Sequence, residues 1–203
     1  MLTILIVCLL GYQLEATKFT AEQQQAILKA HNDYRRTLAK GQAKGQNGGT
    51  FPAAANMNEL VWDTDLETKA DQWAQACNFE HPSNPGYGQN LAAASPFSSA
   101  DDALKSAVDE WWGEGKNYPA GVAFTFGSST GHFTQVAWAA TSKVGCAVQN
   151  CTNGQSLFGT SDWTFTVCDY LSPGNYQNQD IYKSGEACSA CSGGSCDDGL
   201  CKA

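Results

Sequence analysis

Apolar positions along residues 20–40 recur at steps of three and four, with Ile27, His31, Tyr34 and Leu38 on one stripe. That period predicts an amphipathic helix. Thr20 is placed to cap it, and Gln23 three residues on fits a capping box. The same spacing in residues 63–79 aligns Leu66, Ala70, Trp73 and Cys77, with Asp63 or Asp65 near the start. Residues 98–115 predict a third helix with Ala103, Ala107, Glu110 and Trp111 on one face, weakened at its end by Gly113 and Gly115. The pattern then changes character. "VGCAVQNC" and "WTFTVCDYL" are rich in Val, Thr and aromatics, and read as an antiparallel pair of strands. "GYGQNLAAA", from Gly86 to Ala94, reads as a turn running into a small-residue helix. From Gly185 the pattern stops. Four cysteines separated by Gly, Ser and Asp cannot build a hydrophobic core, so this tail reads as a disulfide-stapled appendage.

Composition narrows the class. An apolar content of 42% is ample for a core in a chain of 203 residues, and 16% charged residues argue against disorder. The first sixteen residues, "MLTILIVCLLGYQLEA", carry a short apolar run ending at Ala16 and read as a secretory signal peptide. The run is too short to span a bilayer. Cys8 leaves with that segment, and the eight cysteines that remain suggest four disulfides in an exported protein, with 105 possible pairings. The formal charge is −8 and the basic residues are scattered, which excludes a nucleic-acid footprint and gives no electrostatic pull toward anionic membranes.

Candidate chemistry is sparse. Of the three histidines, His31 lies on the apolar stripe and reads as a core residue. His81 precedes Pro82, where a turn role competes with a ligand role, and His132 lies between Gly131 and Phe133. No HExxH metal motif, phosphate loop or dinucleotide fingerprint occurs. Cys188-x-x-Cys191 has zinc-knuckle spacing, but export favours disulfides there. Asn150-Cys151-Thr152 satisfies the N-glycosylation pattern at Asn150.

Five ordered stretches resemble the signature motifs of the CAP superfamily of cysteine-rich secretory, antigen 5 and pathogenesis-related 1 proteins. They are "AHNDYR" (30–35), "CNFEH" (77–81), "GYGQNLA" (86–92), "GHFTQVAW" (131–138) and "VCDYLSPGNY" (167–176). The short Cys-rich end is most similar to the nematode venom-allergen-like and activation-associated secreted proteins. The resemblance implies an α+β fold, a three-layer α-β-α sandwich around a small antiparallel sheet with a short disulfide-rich C-terminal hinge. It implies a domain over residues 17–184 and a hinge-like tail over 185–203. It also implies the pairings Cys77–Cys151, Cys146–Cys168, Cys188–Cys196 and Cys191–Cys201.

The family's cavity carries two histidines and two acids. Carried onto this chain they are His81, His132, Glu114 from "WWGE", and Gln89, where "GQNL" stands in place of a "GENL"-like motif. An amide retains hydrogen-bonding reach but loses charge and basicity. His31, Asn32 and Arg35 match the first-helix motif as structural residues. The expected function is that of a secreted, monomeric or weakly dimeric binding protein without catalytic residues. Its implied partners are a sterol or fatty acid, an extracellular receptor, or both. Zinc or another divalent ion would be held weakly by His81 and His132. Tyr118, Phe124 and Phe126 are the lipid-loop candidates, though the same three can simply cover the core. The alternatives are a metal-assisted hydrolase using His81 and His132, and a structural or immunomodulatory scaffold.

Overall fold

A computed structural model describes residues 19–152 and 154–202; the expected signal segment, 1–16, with Cys8, lies outside the described residues. Helix α1 (Ala21–Ala39) begins at Thr20, whose side chain accepts from the Gln23 amide while the Gln23 side chain returns to the Thr20 backbone. Helix α2 (Thr64–Ala74) is capped by Asp63 and is shorter than the sequence pattern suggests. The chain leaves it by a turn in which Cys77 adopts a left-handed φ of 51°. Helix α3 (Ala100–Gly113) starts from Ser99 and ends at Gly113. Its buried face is Ala103, Leu104, Ala107, Val108 and Trp111; Glu110, expected on that face, is exposed. The short helix α4 (Gly131–Val136) follows.

The central sheet has the order β1-β3-β4-β2. Strands β3 (Lys143–Cys151) and β4 (Trp163–Leu171) form its antiparallel centre, as the alternation in both segments implies. Strand β2 (Gly88–Ala94) pairs antiparallel with β4 along its whole length. The alanine run expected to be helical is therefore a strand. Its helical propensity is a weak preference that seven paired residues on the β4 edge outweigh. The two-residue β1 (Val61–Trp62) lies parallel to β3, so the small sheet is mixed rather than wholly antiparallel.

Side chains alternate across the sheet and separate two cores. Val144, Cys146, Val148, Cys168 and Tyr170 face α1 and α3. Ala147, Phe165, Val167 and Leu91 face α2, with Ala70 and Ala74 opposite. Gly145 permits this second contact, since a Cβ there would lie 2.1 Å from the Glu67 backbone nitrogen. The result is a three-layer α-β-α sandwich.

Disulfides join Cys77–Cys151, Cys146–Cys168, Cys188–Cys196 and Cys191–Cys201. The tail is more firmly attached than an appendage. Its hairpin, β5 (Ser195–Asp197) and β6 (Leu200–Lys202), inserts Leu200 into the core, and Cys201 exchanges backbone hydrogen bonds with Met57 and Glu59.

Candidate functional site

Two histidine arms meet strand β2 from opposite faces. Asn90 points to the α1/α3 side, where its amide donates to the His132 carbonyl at 3.1 Å. Gln89 points to the α2 side, where its Oε1 accepts from His81 Nδ1 at 3.0 Å. Gly88 fits the start of this strand against Gln135, for a Cβ would come within 2.0 Å of Gln135 Oε1.

The His132 arm is built from buried helix. His132 Nδ1 donates to Glu114 Oε1 at 2.7 Å, and Glu114 Oε2 accepts from the backbone amides of His132 and Phe133, both at 3.1 Å. Arg35 secures the far end of α4. Its guanidinium is fully buried and donates to the carbonyls of Asn58, Val136, Trp138, Ala139 and Thr141. Fork geometry allows one cation to satisfy five acceptors that no lysine would reach together.

The His81 arm is a loop, and His81 is exposed. It is tied by the Cys77–Cys151 disulfide and by Trp73 Nε1, which donates to the Glu80 carbonyl at 2.9 Å. Behind Gln89 lies a residue that motif matching did not single out. Gln89 Nε2 donates to Asp169 Oδ1 at 2.9 Å, and Asp169 is 0% exposed. Among the described residues, the buried Asp169 Oδ2 has no hydrogen-bond partner. Burial pushes this carboxyl up to about 7, against lowering contributions from the Gln89 hydrogen bond and Lys69. The sequence did carry a signal: alternation in "WTFTVCDYL" sets Asp169 on the apolar face of Trp163, Phe165 and Val167.

His31 is a buried framework residue. Its Nδ1 donates to the Ile27 carbonyl and its Nε2 accepts from the Tyr170 hydroxyl, both at 3.0 Å, and burial lowers its pKa to about 4. Asn32 likewise closes a pair of hydrogen bonds with the Leu60 backbone.

Both site histidines thus engage Nδ1 as a donor, which leaves each Nε2 as the ligand atom, the arrangement that acceptors behind metal-binding imidazoles impose. Imidazole nitrogen is a donor type that suits zinc and similar divalent ions. The sulfurs of Cys188, Cys191 and Cys201 also lie within 4.8 Å of one another. They belong to two adjacent disulfides and offer no thiolate.

The lipid-loop candidates separate. Tyr118 and Phe124 are 3% and 7% exposed and form part of the core. Tyr118 packs against Phe51 and Phe133, and its hydroxyl bonds to Ala123 and Thr125. Of the two readings, covering the core describes Tyr118 and Phe124, while Phe126, 63% exposed, projects outward. Asn150 is exposed at the end of β3, and its Oδ1 accepts from Thr164 Oγ1 at 2.8 Å.

A concavity of about 620 Å³ lies between α1 and α3. Ala26, Ile27, Ala30, Leu104 and Val108 form its apolar floor. The small side chains of Ala26 and Ala30, one turn apart, leave room in it. Cross-links bound it: Gln23 Nε2 donates to Asp101 at 2.8 Å, and the Tyr34 hydroxyl donates to Asp109 at 2.7 Å.

The model of the CAP cysteine-rich secretory protein family matches residues 28–170. The chain belongs to the CAP family. An Ancylostoma secreted protein from Ancylostoma caninum is 35% identical over 92% of this chain, which spans only 46% of that protein's length. Venom allergen 5 from Vespula vidua is 33% identical, with 83% of each chain covered. The crystal structure of NaASP2 with Zn2+ superposes with a TM-score of 0.80 at 33% identity, covering 92% of this chain and 98% of that one. The CAP relatives are secreted proteins, and this one is extracellular. Among the described residues no helix is long and apolar enough to cross a membrane.

Proposed function

We propose that this CAP protein is a secreted binding protein whose groove between α1 and α3 holds the chain of a lipid. The observation that carries the reading is the groove itself, about 620 Å³ with an apolar floor, within the size range of small-molecule sites. Its rim carries Glu22, Asp33, Asp101 and Asp109 against Lys29 and Lys105. That excess of negative charge disfavours a free fatty-acid carboxylate and favours a sterol or another lipid with an uncharged head. Displacement of a fluorescent lipid tests this directly. A fatty alcohol is expected to compete better than the fatty acid of equal chain length at low salt, with the gap narrowing at high salt. Ala30→Trp fills the groove and is expected to weaken binding at least tenfold. Unchanged binding in that variant would remove the groove from the account.

A second reading is divalent-metal binding at His81 and His132. Both Nε2 atoms are left for a ligand, and the related NaASP2 structure was solved with Zn2+. A hydrolytic role would draw its nucleophile from metal-bound water rather than from a side chain. In this reading the metal would supply Lewis acidity, while Gln89 and Glu114 hold the two rings in orientation. Zinc titration of the oxidised protein checks it, and unchanged heats after His81→Ala and His132→Ala would exclude the pair.

A further inference from the structure

We propose that Asp169 supplies the carboxylate of the His81 arm and acts through Gln89 as a positioning residue, locking the His81 ring with Nδ1–H inward and Nε2 outward. The inference deepens the metal reading, but its first test needs no metal.

The geometry is a three-member chain. Gln89 and Asp169 are direct cross-strand partners in the β2–β4 ladder, so their side chains leave the sheet on the same face. Gln89 Nε2 reaches Asp169 Oδ1 at 2.9 Å, and Gln89 Oε1 meets His81 Nδ1 at 3.0 Å. A carboxylate only accepts, so it fixes which end of the Gln89 amide faces it. With the amide nitrogen turned toward Asp169, the amide oxygen faces His81 and requires a proton on Nδ1. A neutral imidazole has only one such proton, and Nε2 is left with its lone pair. Turning the amide over would press oxygen against carboxylate and set the amide N–H against the Nδ1 proton. Chain polarity is therefore set by the sign of the buried charge.

The same geometry explains why an amide suits position 89. Glutamate there would put two carboxylates within hydrogen-bond distance, one of them fully buried, and one would have to hold a proton. Glutamine lets a single carboxylate, one strand away, do the orienting. Among the described residues Asp169 has no other hydrogen-bond partner, for its Oδ2 is buried and unpaired. A group that costs stability by burial and has one hydrogen bond, to the amide holding His81, is poorly explained as framework.

The test uses ¹⁵N-labelled, fully oxidised protein and long-range ¹H–¹⁵N correlations of the histidine rings at about pH 8, above the raised carboxyl pKa and the ordinary imidazole range. In the wild type His81 is expected as the single Nδ1–H tautomer. Asp169→Asn is nearly isosteric and can both donate and accept, so it removes the constraint on Gln89. His81 is then expected to show a mixture of tautomers, and zinc affinity to fall about tenfold, while the His132 tautomer stays fixed as an internal control. The double variant Gln89→Glu/Asp169→Asn moves the carboxylate across the strand pair, where the amide introduced at position 169 can donate to it. It should restore both the single tautomer and the affinity. An unchanged His81 tautomer in Asp169→Asn would overturn the proposal, and so would failure of the double variant to restore it. If the tautomers behave as expected but the wild type gives no zinc heat, the relay stands and the metal reading falls.

Discussion

The two histidine arms present the same ligand atom by different construction. His132 meets its carboxylate directly, at 2.7 Å, on a helix whose first amides bind the same Glu114 and whose far end Arg35 holds. His81 meets its carboxylate through one intervening amide, from an exposed loop secured by a disulfide and a tryptophan. One arm is fixed by packing and by charge at contact. The other depends on a buried charge transmitted through hydrogen-bond polarity. Damage to the fold should therefore fall harder on the first arm, and subtle changes of charge on the second.

The largest effect should come from Arg35→Met. It removes donors from the carbonyls of Asn58, Val136, Trp138, Ala139 and Thr141, and a loss of about 3–5 kcal/mol is expected, read from the urea midpoint. Survival of near wild-type stability would show that the carbonyls find other partners and that the His132 arm does not rest on Arg35.

Asp169→Asn should act in the opposite direction. The folded-state pKa of Asp169 is raised to about 7, above the unfolded value of about 3.9. The native state therefore binds the extra proton between those values, and stability is lost as pH rises through that window. The variant should match the wild type near pH 4 and exceed it above pH 7, by at most about 4 kcal/mol for a shift of this size. His31, lowered to about 4, contributes the reverse slope between about pH 4 and 6.5, because its unfolded form takes the proton first. It is common to both proteins and cancels in the difference. A pH-independent difference would mean that Asp169 is not held uncharged by burial.

Glu114→Gln keeps the shape of the direct arm but removes its charge. Zinc affinity should fall about 10- to 100-fold with a stability loss of about 1 kcal/mol, measured by calorimetry and urea unfolding. A smaller loss of affinity than that caused by Asp169→Asn would reverse the ranking of the arms. The smallest effect is expected at Phe126. Its exposed ring should cost no more than about 0.5 kcal/mol of stability on change to Ala and leave lipid displacement from the groove unaltered. Loss of sterol binding in that variant would return the loop to the account.

Helices α1 and α3 and the β3–β4 pair were legible because their apolar periods coincide with the faces they bury. Strand β2 was not, since an alanine run becomes a strand only when the β4 edge is available to pair with it. The family motifs located His81, Gln89, Glu114 and His132 but could not show which carboxylate orients His81. That relation depends on the register Gln89↔Asp169, which joins positions eighty residues apart. Tyr118 and Phe124 illustrate the converse. Aromatic residues in a loop looked like surface contacts, yet the loop folds back so that both fill the core.

The most direct measurement is the protonation pattern of the two rings in the wild-type, metal-free protein. Long-range ¹H–¹⁵N correlations at about pH 8, where an ordinary imidazole is neutral, should show Nδ1–H at both His81 and His132, and added zinc should then perturb both Nε2 resonances. A proton on Nε2 of either ring would contradict the arrangement on which both arms are built.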